Sequence, residues 1–446
     1  MNLKIFNTLS KKLESFKPFN DTVKVYACGP TVYNHPHIGN ARPAIIGDIL
    51  IRILRKIFKK VVYVRNITDI DDKINDKAKE ENVSIEIISL KYTKVYQENM
   101  RALNVLPPDI EPTVTQNIHS IIKMISTLLE KKHAYEAENH ILFHVPSFKD
   151  YGNLSKRKKD EMIEGARIEV APYKKDPMDF VLWKPSTKDQ PGWDSPWGRG
   201  RPGWHIECSS IIKTYLGETI DIHLGGNDLI FPHHENEIAQ SNCAHDGKSL
   251  SKYWIHNGFI SMDKEKMSKS VGNIILVNDI LKNYTGEAIR LAMLTTHYKQ
   301  PLNWNENILI QANKNLENFY DVIGDKKNFE SIEPPKKFFD ALLNDLNTPE
   351  ALKELYELSK NKNTKDQLKS AANYLGILQL TKTEWINQRK KIKNLDQKKI
   401  EKLIANRNKA RKEKNFVEAD KIRDKLTLDN IILEDSPSGT KWRINN

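Results

Sequence analysis

The stretch from Val23 to Arg65 gives strand, helix and strand signals in that order, and it constrains the fold more than any other feature. Val23-Lys24-Val25-Tyr26-Ala27-Cys28 alternates and then meets Gly29-Pro30, as a strand running into a loop does. Ala41 to Phe58 is apolar at helical spacing, and Lys60 to Arg65 reads as a second strand. Two strands joined through a helix pair in parallel, and ligands of open parallel sheets sit in loops at the strands' carboxyl ends. The loop after Cys28 is therefore the first place to look for chemistry.

The same pattern returns later. Glu218 to His223 reads as a strand, Leu224-Gly225-Gly226-Asn227-Asp228 as a loop, and Pro232 to Ala244 as a helix with proline in its first turn. Gly258 to Met262 reads as a further short strand before a Lys-rich loop. Between the two α/β stretches, 113–200 changes character: Ile118 to Glu130 looks helical, and 151–203 is rich in Pro, Gly, Lys and Trp. This predicts an insertion within one sheet domain. Residues 305–380 show helical periodicity without a Gly-rich loop. The final segment combines basic helices with Asn430–Asp435 and Thr440–Ile444, which read as a hairpin around Pro437–Gly439.

Bulk properties narrow the class. A chain of 446 residues exceeds what one core usually supports, so several domains are expected. No signal peptide and no membrane-spanning run are evident, so no membrane partner is expected. Cys28, Cys208 and Cys243 are too few and too scattered for a disulfide framework, which fits reduced thiols in the cytoplasm. The formal charge of +12 favours an anionic partner, although a Lys-rich composition alone would also produce it. Residues 381–446 hold 18 Lys/Arg against 10 Asp/Glu, so most of the excess sits in the tail.

Two loops carry phosphate chemistry. His35-Pro36-His37-Ile38-Gly39-Asn40 leads from the first strand into a helix. Gly39 lets backbone approach a ligand, the helix start offers free N–H groups, and His37 and Asn40 add side-chain donors. Taken alone, histidines in such a loop are more often incidental. Far downstream, Lys266-Met267-Ser268-Lys269-Ser270 sets two ammonium groups and two hydroxyls on one loop, suited to charge that grows as pyrophosphate departs.

Together these loops resemble the paired motifs of class I aminoacyl-tRNA synthetases. Cys28-Gly29-Pro30-Thr31-Val32-Tyr33, Gly203 to Ser209 and Phe231 to Glu237 are similar to the cysteinyl branch in particular. One departure is visible: Asn40 stands where many relatives have His. The resemblance implies an α/β fold: a Rossmann-type parallel-sheet catalytic domain with an insertion, followed by a helical bundle and a small mixed α/β C-terminal anticodon-binding domain. The expected divisions are 1–112 and 201–304 for the two catalytic halves, 113–200 for the insertion, 305–385 for the bundle and 386–446 for the tail. A monomer is expected.

The resemblance further implies ATP contacts from His37, Gly39, Asn40, Lys266, Met267, Ser268, Lys269 and Ser270, with His37, Asn40, Lys266 and Lys269 acting in catalysis. It implies amino-acid contacts from Cys28, Gly29, Thr31, Thr68, Trp204 and His205, and anticodon contacts from Arg411, Phe416, Asp420, Asp435 and Trp442. It points to Cys28, Cys208, His233 and Glu237 as ligands of one Zn²⁺. Residue chemistry agrees, since His233 and Glu237 stand four apart on an expected helix and all four groups are suitable zinc donors. Two buried cysteines and a capping histidine would give the same spacing, while Cys243 falls off that face and reads as core. The implied partners are L-cysteine, ATP with Mg²⁺, and tRNA(Cys).

Cysteine and serine share nearly one shape, so a cavity alone separates them weakly. A soft cation that binds and acidifies a thiol would separate them strongly. The insertion is too short and featureless in sequence to argue for an editing domain. Two other readings use part of the same motifs. A cysteine ligase acting on a small amine would not need the basic Trp/Arg-bearing tail, and a zinc-containing RNA-binding protein would not need the Lys266–Ser270 loop.

Overall fold

The computed structural model describes residues 2–157, 162, 171–262, 265–266, 274–330, 332–392, 397–413, 415–428, 431–436 and 439–444. A hairpin, β1 (Lys4–Asn7) and β2 (Lys12–Ser15), precedes the catalytic sheet. That sheet contains β3 (Thr22–Ala27), β4 (Lys60–Arg65), β9 (Ile220–Gly226) and β10 (Ser251–Asn257), all parallel, in the order β10-β9-β3-β4. Helix α1 (Ile38–Ile57) makes the crossover from β3 to β4. The chain steps to one side of β3 with β4 and to the other with β9. The point where strand order reverses thus lies between β3 and β9, where open sheets form their ligand crevice.

The expected strand at 60–65 and the crossover helix form because their apolar residues have somewhere to go. Ile45, Ile49 and Ile53 of α1 have no solvent exposure. Burying each contributes about 1.5–3 kcal/mol, and truncating one to alanine would cost about 2–5 kcal/mol. Helix α2 (Asp72–Glu81), capped by the Asp71 carboxylate accepting the Lys73 N–H at 2.8 Å, and α3 (Ile85–Ala102) follow β4.

The insertion has a sheet of its own and shares a core with the catalytic domain. After α4 (Ile118–Glu130), strands β5 (Ala134–Ala137), β6 (His140–Phe143), β7 (Phe180–Pro185) and β8 (Gly200–Pro202) form an antiparallel sheet in sequential order. Its segments are short and broken by Pro and Gly, which hides the strand period from a sequence reading. Helix α5 (Trp204–Tyr215) returns the chain to the catalytic sheet.

Two expected boundaries shift. Strand β9 runs on to Gly226, because Gly225 and Gly226 pair with His256 and Asn257 of β10. Helix α6 begins at Glu235, and not at Pro232: Phe231 is extended (φ −139°, ψ 132°), and 230–234 form a wide turn that delivers His233. Strand β11 (Ile260–Met262) leaves the main sheet to pair with β12 (Glu265–Lys266) and β13 (Leu302–Asn303). Between them lie α7 (Val277–Leu281) and α8 (Gly286–Leu294).

The helical region comprises α9 (Glu306–Ile323), α10 (Lys336–Leu343), α11 (Thr348–Ser359), α12 (Lys365–Tyr374) and α13 (Lys382–Ile392). It shares one apolar core with the catalytic sheet, in which Leu316, Phe319 and Trp385 are buried. The tail has a separate small core under α14 (Gln397–Lys412) and α15 (Phe416–Leu428), closed by the hairpin β14 (Ile431–Ser436) and β15 (Gly439–Ile444). No helix among the described residues is long and apolar enough to cross a membrane.

Candidate active site and metal centre

The loops after β3, β4, β9 and β10 surround a cavity of about 430 Å³. Cys28, Gly29, Thr31, His37, Gly39, Asn40, Thr68 and Trp204 line it, together with Cys208 and His233. His205 is not among the lining residues; it stands behind His233, with the two Nδ1 atoms 3.0 Å apart. Lys266 pairs through its backbone with Ser261 on β11, but its side chain lies outside the described residues, as do Met267, Ser268, Lys269 and Ser270.

At the cavity's floor, Cys28, Cys208, His233 and Glu237 place one ligand atom each within 4.8 Å of every other. The two sulfurs are 3.9 Å apart, Cys28 Sγ is 3.5 Å from Glu237 Oε1, and that oxygen is 2.9 Å from His233 Nε2. Donors around a tetrahedral zinc, with bonds of about 2.0–2.3 Å, stand roughly 3.3–3.8 Å apart, so the set has the right dimensions and the right chemistry. A second quartet, Cys28, His223, His234 and Glu237, is equally compact. Its two histidines do not border the cavity, and His234 Nδ1 is already 2.7 Å from His256 Nε2. Of the first quartet, Cys28, Cys208 and His233 line the cavity and Glu237 stands behind them.

A ring of aromatic groups surrounds these donors. His223 Nε2 donates to Glu237 Oε2 at 2.9 Å, His256 reaches Thr8 Oγ1 at 2.8 Å, and His223 stacks on Trp254 at 4.5 Å. Trp204, 43% exposed, stacks on His233 at 4.3 Å. Burial first, and neighbouring imidazoles second, hold His205 and His234 well below the usual histidine range, in the neutral form. Burial also opposes charge on Glu237, but His223 and His233 outweigh it and bring the carboxyl down to about 2. The hydrogen bond with Cys28 lowers Cys208 to about 6, while burial first and that same bond second raise Cys28, so the first proton leaves from Cys208.

Asn66, missed in the sequence reading, organises the wall. Its Oδ1 accepts from the Gly29 N–H at 2.8 Å and from the Tyr26 hydroxyl at 3.0 Å, and its Nδ2 donates to Thr68 Oγ1 at 3.2 Å. A Cβ on Gly29 would stand 1.5 Å from the Asn66 carbonyl oxygen, so only glycine fits. The available signal was an amide at the carboxyl end of β4, followed closely by Thr68. Asp228, beside the glycines of β9, also lines the cavity and was noticed only as a loop residue.

At the start of α1, His37 is the N-cap, and Asn40 Oδ1 accepts the His37 N–H at 3.1 Å. Asn40 therefore closes its own helix start and keeps Nδ2 as a donor. In the tail, Asp435 accepts two bonds from Arg407, at 2.9 and 2.8 Å, and one from Arg411 at 2.7 Å. Phe416 is 61% exposed and Asp420 is exposed. Trp442 is half-buried against the small core, with Lys390 Nζ 4.4 Å from its ring centre.

Residues 15–314 match the family described as tRNA synthetases class I (C) catalytic domain, and residues 337–380 match the DALR domain. The chain is 52% identical to the cysteine–tRNA ligase of Parvibaculum lavamentivorans, over all of this chain and 98% of that one. It is 50% identical to the same enzyme of Paramagnetospirillum magneticum, over 99% of this chain and 100% of that one. Among solved structures, the methionyl-tRNA synthetase of Mycobacterium tuberculosis in complex with methionyl-adenylate superposes with a TM-score of 0.57 at 15% identity. That overlap covers 79% of this chain and 89% of the other, a likeness of fold. By its catalytic domain, its DALR domain and its full-length relatives, the chain belongs to the cysteine–tRNA ligase family of class I aminoacyl-tRNA synthetases.

Proposed function

We propose that the chain activates L-cysteine with ATP and transfers it to the terminal adenosine of tRNA(Cys), acting as a monomer in the cytoplasm. The observation that carries this reading is the floor of a cavity lined by two thiols and an imidazole, with the Glu237 carboxylate clustered behind them, and with the His37–Asn40 helix start at its rim. The divisions at 112, 200, 304 and 385 remain our working segmentation.

Cys28, Cys208, His233 and Glu237 would hold the zinc. Bound there, it would supply a soft Lewis acid for the substrate's sulfur, lowering the thiol's pKa in a way no hydroxyl can match. Trp204 over His233 and the Gly29–Thr31 and Thr68 backbone would confine the amino acid above the floor. His205 would act through His233, fixing its ring.

The carboxylate oxygen of cysteine attacks the α-phosphorus, and the bond to the bridging oxygen of the β-phosphate breaks, releasing pyrophosphate. The nucleophile is already ionised, so no general base is required, and the protein's work is positioning and charge stabilisation. His37, Gly39 and Asn40 would cradle the phosphates. Lys266 and Lys269, with Met267, Ser268 and Ser270 framing them, would take the charge of the leaving group alongside Mg²⁺. A ribose hydroxyl of the tRNA then attacks the carbonyl of the adenylate, and AMP departs. Arg411, Phe416, Asp420, Asp435 and Trp442 would contact the anticodon by stacking and base-edge hydrogen bonds.

Cysteine-dependent exchange of labelled pyrophosphate into ATP, followed by charging of tRNA, tests the reading. Exchange without charging would favour a small-molecule cysteine ligase. RNA binding without exchange would remove the enzymatic reading altogether.

A further inference from the structure

The first-motif helix and the root of the Lys-rich segment meet at one buried cation. Arg42, 1% exposed, lies on α1 just past Asn40. Its Nη1 donates to the carbonyls of Gly258 at 2.8 Å and Phe259 at 2.7 Å, and its Nη2 to those of Gln300 at 2.7 Å and His297 at 3.4 Å. Carbonyl oxygens converging on one point repel each other unless a donor-rich cation sits among them. A planar guanidinium reaches two pairs at once, whereas an ammonium on a single stem does not.

Gly258 allows the convergence. A Cβ there would lie 2.6 Å from the Gln300 carbonyl oxygen and 2.8 Å from that of Lys299. Gly258 and Phe259 immediately precede β11, and the 297–300 turn leads into β13, its parallel partner. From β11 the chain passes through β12 to the Lys266–Ser270 segment. The far end of that segment is tied to the same motif. Ile38 N–H donates to Ile275 at 3.0 Å, Val277 N–H donates to Pro36 at 2.9 Å, and His35 Nδ1 meets Asn278 Nδ2 at 2.7 Å. Gly258–Phe259 and 275–278, described residues on either side of that segment, are thus both tied to residues 35–42.

We propose that Arg42 is a positioning residue for ATP: its grip on Gly258 and Phe259, which line the cavity, sets that wall against the His37–Asn40 helix start. This rests on the proposed function for ATP binding at that helix start. Arg42 itself borders the cavity, but its Nη1 and Nη2 are taken up by the four carbonyls, so its loss is expected to weaken ATP handling while the thiol floor, built from β3, α5 and α6, is untouched.

Two variants disturb the joint from opposite sides. Arg42→Lys keeps the charge and loses the fork; Gly258→Ala keeps Arg42 and pushes the root off Gln300. In the full chain, calorimetry measures binding of the magnesium complex of α,β-methylene-ATP, and pyrophosphate exchange gives KM for ATP and for cysteine. Both variants are expected to bind the analogue about tenfold more weakly or worse, about 1.4 kcal/mol, with KM for ATP rising in step. KM for cysteine and zinc content are expected to stay at wild-type values. A folded Arg42→Lys protein that binds the analogue normally, or that loses ATP and cysteine affinity by one common factor, would overturn the proposal. Absence of cysteine-dependent exchange in the wild type would instead sink the proposed function, and the calorimetric comparison would still decide the role of Arg42.

Discussion

His223 donates its Nε2–H to Oε2 of Glu237 at 2.9 Å, in a place where neither side chain meets solvent. The bond occupies one carboxylate oxygen and leaves Oε1 among Cys28, Cys208 and His233. Groups that orient a metal ligand typically change affinity by about 10- to 100-fold when removed. His223→Ala is therefore expected to lower zinc affinity by about that factor in competition with a chelator. Unchanged affinity would mean that Glu237 is held by its own helix alone.

Zinc affinity should rise with pH. Metal binding requires thiolates and a neutral imidazole, so every proton on the donors competes with the ion. In the metal-free site, Cys208 is drawn to about 6 by its bond with Cys28. His233 is raised to about 10, because Glu237 and Cys208 outweigh the effect of burial. The affinity is expected to climb steadily between about pH 6 and 10, with proton release detectable by calorimetry in buffers of different ionisation enthalpy. A flat profile across that window would contradict the assignment of the donors.

Asp48 on α1 and Arg290 on α8 form a fully buried ion pair, and Arg290 Nε also donates to the carbonyl of Leu375 just past α12, which ties both helices to the helical region. Arg290 also donates to the carbonyls of Leu103 and Asn104 at 3.1 Å. Burial raises the Asp48 pKa, but Arg290 and Arg52 outweigh it, so the folded value lies below the ordinary aspartate range. The pair's stabilisation is thus present above the unfolded carboxylate pKa and is lost as pH falls through the folded one. Arg290→Met should destabilise the protein by about 3–5 kcal/mol in urea melts near neutral pH, because Asp48 is left buried without its main partner. The penalty should shrink as acid neutralises that carboxylate. A penalty independent of pH would place the cost in packing.

Much of this was legible from neighbouring residues, and the remainder was not for a physical reason. β3, α1 and β4 follow from local period, since a strand and an amphipathic helix announce themselves within ten residues. Cys28 and Cys208 approach only after the sheet is assembled, so spacing could not pair them and family resemblance had to. His223 and His256 of the outer ring were missed because strand residues buried on both faces show no periodic signal, and His234 because it sits in the wide turn at 230–234. His233-His234 in tandem was the one local hint. The wide turn at 230–234 was hidden as well, because Pro232 also suits a helix start.

The tail offers a similar contrast. Arg411 and Asp435 both resembled base-reading positions, yet the β14–β15 hairpin brings them together, with Arg407 bonded to both carboxylate oxygens. Arg411→Ala is expected to raise KM for tRNA(Cys) by a factor corresponding to about 1–3 kcal/mol, with pyrophosphate exchange unchanged. Equal charging kinetics in the variant would leave Arg411 as a partner of Asp435 only.

The most direct measurement compares cysteine with serine in pyrophosphate exchange, before and after removal of metal and after zinc is restored. The expected result is a preference of several orders of magnitude for cysteine with zinc bound, loss of cysteine activation on stripping, and recovery on reconstitution. Undiminished preference for cysteine in metal-free, folded protein would contradict recognition of sulfur through Cys28, Cys208, His233 and Glu237.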